Sequence, residues 1–247
     1  MRESERERER EKKKMAAAAH EREEVVLLSE QPEWSDVQPI PQCEGVEPVV
    51  QILYDKEYSD AMGLLRAVMR RGELSQRTLH LTSVIIFMNS AHFTVWEFRR
   101  CILHSLNSKR EWISELDFMK EVNSMNTKNY QLWNHRRVVV ETLMPSGGSG
   151  NGPALKVDTI ETYTLKDEFD HLGEIFAEDA KHYHAWAHRQ WLVRTYGCWD
   201  KEMTFTKELI KEDVYNNSAW NHRFYVIMNG ETPHPHLYFF NFFHSSL

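Results

Sequence analysis

Cysteine is scarce in this chain of 247 residues: Cys43, Cys101 and Cys198 stand far apart, odd in number and without a CxxC pair. That pattern gives no disulfide framework and no cysteine zinc site, and it suits a reducing compartment. Positive charge is short as well. The 30 Lys and Arg are outnumbered by 37 Asp and Glu, for a formal net charge of −7, which argues against nucleic acid as a partner. No apolar run approaches the roughly 18–20 residues of a membrane span, and no apolar signal core opens the chain. The expected location is cytoplasmic. Glycine and proline, 10 and 8 in number, cluster between segments. The helix-forming stretches they leave intact point to an all-α fold.

What the chain has is repetition. Residues 128–137 read KNYQLWNHRR, residues 181–190 KHYHAWAHRQ and residues 216–223 NNSAWNHR, with a looser copy, HFTVWEFRR, at 92–100. All four share Trp-x-x-Arg, as Trp96/Arg99, Trp133/Arg136, Trp186/Arg189 and Trp220/Arg223, and three place His135, His188 or His222 two residues after the Trp. The Trp-to-Trp spacings are 37, 53 and 34 residues, the longest of them containing a run from Pro145 to Pro153 with four glycines. A period of roughly 34–37 is that of helix-hairpin solenoids.

Apolar periodicity and turn residues predict the hairpins. A first helix begins near Tyr58 and stops at Gly72. Then Gln76–Met88 pairs with Phe93–Leu106, Glu111–Val122 with Tyr130–Leu143, Thr164–Phe176 with Tyr183–Tyr196, and Lys201–Lys211 with Ser218–Met228. Asn, Asp or Ser before each second helix is expected to cap it. The fold class is an all-α, right-handed α-α superhelix of helical hairpins over residues 32–229. A disordered charged tail is expected over 1–31, an extended proline-bearing segment from Trp34 to Pro48, a flexible glycine-rich insert at about 145–157 and an atypical Phe-rich tail over 230–247.

The shared residues read as scaffold. Trp and Arg three apart lie on one helix face, so the Trp packs between hairpins and the Arg fork satisfies carbonyls or carboxylates at the turns. Function resides in what the repeats do not share, the residues just before each Trp: Lys128, Tyr130 and Gln131, then Lys181, His182, Tyr183 and His184, then Asn216–Ser218. They fall on the first turn of a helix, where backbone N–H groups and the dipole favour an anion such as a diphosphate or carboxylate. Solvated Lys and Tyr at helix starts are the plainer alternative. His184 and His188 have metal-ligand spacing, but no HExxH and no suitably placed carboxylate accompany them, so no metal is expected in this chain. The Gly147–Gly152 run lacks the Lys-Ser/Thr ending of a phosphate loop.

The blocks KNYQLWNHRR, DAKHYHAWAHRQW and NNSAWNHRFYVI, with PEWSD at 32–36, PVVQI at 48–52 and FTVWEFRR at 93–100, resemble the α subunits of protein prenyltransferases. Within that family they are most like the subunit of the CaaX-type enzymes, farnesyltransferase and geranylgeranyltransferase type I. The resemblance covers about residues 32–229.

It implies a partner β subunit that binds the catalytic zinc and the isoprenoid pocket, with Mg²⁺ a possible aid to the farnesyl reaction. By resemblance, Lys128, Tyr183 and His184 face the isoprenoid diphosphate as catalytic residues. Tyr130 lines the same cavity, and Gln131 receives the carboxylate of a CaaX substrate. The implied reaction is attack of a cysteine thiolate on C1 of farnesyl or geranylgeranyl diphosphate. Alternatives are a Rab-type geranylgeranyltransferase α subunit and a non-catalytic helical scaffold. The second arises because the family continues through further repeats after Asn229, so the chain is expected to be a shortened subunit. His92-Phe93 also departs from the family's Asn-Tyr.

Overall fold

The computed structural model describes residues 26–42, 50, 52–145 and 163–230. Of the charged tail expected over 1–31, residues 1–25 lie outside the described residues, as do the insert from 146 and the Phe-rich segment 231–247, while Leu28–Glu30 forms a 3₁₀ turn whose Ser29 N–H donates to Asp60. Among those described are nine α-helices, two 3₁₀ turns and no strand, so the chain is an all-α helical-repeat protein. Contacts divide it into two compact units, 1–89 and 90–247. The hairpin expected from Gln76–Met88 and Phe93–Leu106 straddles that division, and each helix is described with its own unit.

The first unit is built on α1 (Lys56–Arg71) and α2 (Gln76–Met88). Helix α1 stops where anticipated: Gly72 takes a left-handed φ of 65° and returns its N–H to the carbonyls of Met69 and Val68. Ser75 then opens α2 with a capping box to Thr78. Leu64, Leu65 and Val68 of α1 and Leu81, Ile85 and Ile86 of α2 are buried. The extended segment expected from Trp34 to Pro48 is entered through a 3₁₀ turn, Pro32–Trp34, which takes in its first residue. The reason is an aromatic anchor. Trp34 is buried, with the Arg77 guanidinium 5.1 Å from its ring centroid, and Asp36 holds that same Arg77 at 2.7 Å. Residues 39–40 cross α1 at Gly63, where a Cβ would meet Pro39 at 2.9 Å. Ile40 N–H donates to the Gly63 carbonyl there at 3.0 Å.

The second unit runs α3 (Phe93–Leu106), α4 (Lys109–Met125), α5 (Tyr130–Leu143), α6 (Leu165–Glu178), α7 (Tyr183–Tyr196), α8 (Glu202–Glu212) and α9 (Asn217–Asn229). Helices α4 and α5, α6 and α7, and α8 and α9 pack as hairpins, and α3, α5, α7 and α9 pack in succession against one another. The second helices therefore form one continuous row, each carrying one copy of the Trp-x-x-Arg block. Trp96, Trp133 and Trp186 are buried in that row, as a packing role requires. Each ring lies against the histidine of the next repeat: Trp96 on His135 at 4.9 Å, Trp133 on His188 at 5.5 Å and Trp186 on His222 at 5.1 Å between centroids. Trp220, on the last described helix, is only partly buried.

Candidate functional site at the turns

Two sets of polar contacts hold the row in register, and both come from repeated residues. The first is a buried carboxylate between an arginine and a histidine. Arg99 grips Glu115 through Nε and an amino nitrogen at 2.6 and 2.7 Å, and His135 Nε2 donates to Glu115 at 2.8 Å. Arg136, Glu168 and His188 repeat the arrangement, as do Arg189, Glu202 and His222. Each arginine thus reaches forward to a glutamate on the first helix of the following hairpin, and that hairpin's own histidine completes the group.

The expectation that the arginines serve carbonyls or carboxylates at the turns holds for Arg189, whose Glu202 opens α8, but Arg99 and Arg136 pair with Glu115 and Glu168 within their helices. Arg223 donates to the carbonyl of Met203 at 2.8 Å and to the Thr206 hydroxyl at 3.1 Å. The glutamates themselves were missed. Their signal was present, because each stands 20 residues before its histidine.

Burial raises the pKa of Glu115, but the Arg99 charge and the His135 hydrogen bond outweigh it and bring the carboxyl down to about 2. Glu168 is likewise held well below the usual range, chiefly by Arg136 acting against burial. His135 and His188 are pushed down by burial, against the pull of their glutamates. The buried Nδ1 of His135 has no hydrogen-bond partner, so a second proton there finds no acceptor.

The second set runs along the turns. Each Trp indole N–H donates to the carbonyl six residues before it: Trp96 to Ser90 at 2.8 Å, Trp133 to Thr127 at 3.4 Å, Trp186 to Ala180 at 2.9 Å and Trp220 to Val214 at 2.8 Å. The capping residue of the next repeat donates to the first three of these carbonyls. Asn129 reaches Ser90, His182 reaches Thr127 and Asn216 reaches Ala180, at 2.7, 3.0 and 3.3 Å. Asparagine caps occur as expected at α5 and α9. The rule fails at α7, capped by His182, and at α3, where His92 makes no side-chain cap.

The candidate site residues stand on this stitched edge. Tyr130 and Tyr183 open their helices at the same repeat position, and both are 69% exposed. The structure brings the two blocks together: the Tyr130 ring meets the His184 ring edge-on at 4.2 Å, and the Tyr183 ring lies 5.2 Å from it. His184 also stacks on Trp133 at 6.2 Å. Burial, then the electrostatic influence of neighbouring His182, lowers its pKa, and the Lys128 backbone carbonyl opposes them. Lys128 sits exposed in the turn before α5, and no carboxylate of the described residues lies within ion-pair distance of it. Lys181, at the equivalent place, is engaged by Asp213 at 3.2 Å. Gln131 is half-buried one residue beyond Tyr130.

An anion at this edge would depend on side chains more than on backbone. Asn129 Oδ1 already accepts from the N–H of Gln131 and Leu132, and His182 Nδ1 from that of Ala185. Three of the N–H groups expected from the sequence, those of Gln131, Leu132 and Ala185, are taken by the caps. The histidines at α7 do not converge as ligands either, since His188 is bound to Glu168 and both nitrogens of His182 are in use. Among the described residues, no group of three or more His, Cys, Asp or Glu could hold a metal ion, and no helix is long and apolar enough to cross a membrane.

Comparison with known proteins places this arrangement. The protein prenyltransferase alpha subunit repeat model matches residues 112–143, 165–196 and 199–230, which are the three hairpins α4–α5, α6–α7 and α8–α9. The chain is 44% identical over 207 residues to the protein farnesyltransferase/geranylgeranyltransferase type-1 subunit alpha of Pisum sativum, covering 84% of this chain and 56% of that one. With the Arabidopsis thaliana subunit of the same name it shares 42% over 205 residues, 83% of this chain and 57% of the relative. The chain therefore spans little more than half the length of these relatives. Among solved structures, Candida albicans protein geranylgeranyltransferase-I complexed with GGPP is similar with a TM-score of 0.65 and 37% identity, over 78% of this chain and 60% of that one. Repeat, fold and sequence agree: the chain belongs to the protein prenyltransferase α-subunit family.

Proposed function

We propose that the chain acts as the α subunit of a heterodimeric CaaX protein prenyltransferase, a transferase competent only with its β subunit. Supporting it over a Rab-type subunit are the names of the relatives above, which are farnesyltransferase and geranylgeranyltransferase type-1 α subunits. The observation that carries the reading is the Tyr130–His184 contact at 4.2 Å. It joins the Lys128–Gln131 block to the Tyr183–His184 block on one edge, beside a lysine that no carboxylate of the described residues neutralises.

In this reading Lys128 reaches the diphosphate of farnesyl or geranylgeranyl diphosphate and stabilises the charge that grows on it as the C1–O bond breaks. Tyr183 donates its phenol to the same group. His184, whose pKa burial lowers and whose ring meets those of Tyr130 and Tyr183, steadies both rings and offers an N–H. Tyr130 lines the isoprenoid side, and Gln131 receives the C-terminal carboxylate of the CaaX peptide. The cysteine sulfur takes C1 as diphosphate leaves, forming a thioether. Zinc, bound by the β subunit, would stabilise the substrate cysteine as its thiolate, and Mg²⁺ is the cation expected to aid diphosphate departure. The location is cytoplasmic.

The test is co-expression with a CaaX-type β subunit, followed by titration of farnesyl or geranylgeranyl diphosphate into the purified complex. Binding that weakens at least tenfold in Lys128→Ala, with the complex intact, supports the reading. A stable complex that binds no isoprenoid diphosphate makes the chain a scaffold instead, and no complex at all removes the partner from the account.

A further inference from the structure

We propose that His182 is a positioning residue that locks the turn carrying Lys128 to the helix start carrying Tyr183 and His184, and that it does so only as a neutral imidazole protonated on Nε2. The proposal rests on the diphosphate site described above and adds a pH-sensitive support to it. The argument comes from what the capping position must do. In each stitched turn the cap accepts from N–H groups of its own helix and donates to the carbonyl of the preceding turn. Asparagine does both with one amide and does not titrate. Asn129 accepts from Gln131 and Leu132 at 2.9 and 3.3 Å and donates to Ser90 at 2.7 Å. Asn216 accepts from Ser218 and Ala219, both at 3.1 Å, and donates to Ala180 at 3.3 Å.

At the turn between the two candidate blocks the cap is His182 instead. Its Nδ1 accepts from the Ala185 N–H at 3.2 Å and its Nε2 donates to the Thr127 carbonyl at 3.0 Å. One imidazole tautomer alone fits both bonds. A second proton would place an N–H on Nδ1 facing the Ala185 N–H, turning the cap into a repulsion. The ring is buried, so it cannot swing to water without giving up the Thr127 bond as well. Lys128 is the next residue after Thr127, and Tyr183 and His184 follow His182 directly, so loss of this bond separates the two halves of the site.

The groups around the ring act in both directions. Lys128 and Lys181 lie in the two joined turns, and His184 is 6.1 Å away between ring centroids; these oppose a second proton. Asp179, which accepts the Lys181 backbone N–H, and Asp213, which holds the Lys181 ammonium, favour one. The Trp133 ring packs against His182 at 5.7 Å, and His188 lies beyond Trp133.

The variant that isolates the effect is His182→Asn, which keeps both bonds in the manner of Asn129 and Asn216 and cannot titrate. The full chain, with its β subunit, is compared as wild type, His182→Asn and His182→Ala across about pH 8 to 5, where imidazoles charge. Two readouts are followed, the thermal midpoint and the KM for isoprenoid diphosphate. Wild type and His182→Asn should agree at the alkaline end. As pH falls, the wild-type midpoint should drop below that of His182→Asn by about 2–4 °C, one lost cap in a chain of this size. The wild-type KM should rise several-fold while that of His182→Asn stays flat, and His182→Ala should show the raised KM at every pH. Parallel pH profiles for wild type and His182→Asn in both readouts would overturn the proposal. A midpoint difference in a complex that transfers nothing at any pH would keep the lock and sink the diphosphate reading.

Discussion

Glu168 on α6 accepts a hydrogen bond from His188 on α7 at 2.7 Å, across a separation of 20 residues. The same separation joins Glu115 to His135 and Glu202 to His222. In each case the carboxylate also receives a two-pronged arginine from the previous repeat. Aromatic rings cover two of the guanidiniums: Arg99 lies over Phe118 at 3.9 Å and Arg189 over Phe205 at 3.4 Å. A buried ion pair contributes less net stability than its geometry suggests, because both charges lose water, but removing one partner strands the other. Register between repeats depends on all three members.

Glu168→Gln should therefore destabilise the chain by about 3–5 kcal/mol, since Arg136 and His188 lose their counter-charge in a dry site. Urea unfolding measures it. Removing the exposed Lys166–Asp170 pair should leave the urea midpoint unmoved, because a solvated ion pair contributes little.

Acid should destabilise the second unit progressively, the histidines acting first and the glutamates below them. His135 and His188 are neutral in the folded chain, with pKa values lowered from 6.5 by burial. Stability linked to them is complete above about pH 6.5 and is lost as pH falls toward their folded values. Burial likewise brings His171 down to about 3. Glu115 falls from 4.5 to about 2, so its contribution is present above 4.5 and disappears between 4.5 and 2. Chemical denaturation at stepped pH should give a plateau at neutral pH and a continuous decline below it. A flat profile between pH 7 and 4 would contradict the neutral-histidine assignment.

Asn129→Ala removes both the cap of α5 and the link to Ser90. Loss of about 1–3 kcal/mol is expected, the sum of a cap and a bridging hydrogen bond. Differential scanning calorimetry would read it, and no change would mean that water replaces the amide.

Lys128 and Lys181 occupy the same place in successive repeats but differ in what they face. Lys181→Ala breaks the contact with Asp213 and should leave transfer within about twofold, because that ammonium is already engaged. Equal loss of transfer in the two variants would mean that the edge acts through its total charge and not through one side chain.

Helix boundaries were the most legible part of the fold. Gln76–Met88, Phe93–Leu106, Tyr130–Leu143 and Tyr183–Tyr196 form where read, and the other helices of the second unit differ by one to three residues at their ends. Apolar period and capping chemistry are local, and the sequence carries both. The buried glutamates were not legible by that route, because a Glu in a helix is ordinarily read as solvated and its burial depends on an Arg in another hairpin. Trp34 was likewise misjudged: the prolines around it argue for extension, while Arg77, 43 residues later, draws it into the core. The candidate site was legible as departures from the repeat. The use of its backbone N–H groups by Asn129 and His182 was not, because a cap's second hydrogen bond goes to a different repeat.

The measurement that tests the account most directly is single-turnover transfer of an isoprenoid to a CaaX peptide by this chain assembled with a CaaX-type β subunit, wild type against Lys128→Ala. The account expects wild-type transfer and a fall of about 10²–10³ in the variant, the usual effect of removing one charge-stabilising donor, with the thermal midpoint unchanged because Lys128 is exposed in a turn. Equal rates in the two proteins would contradict it.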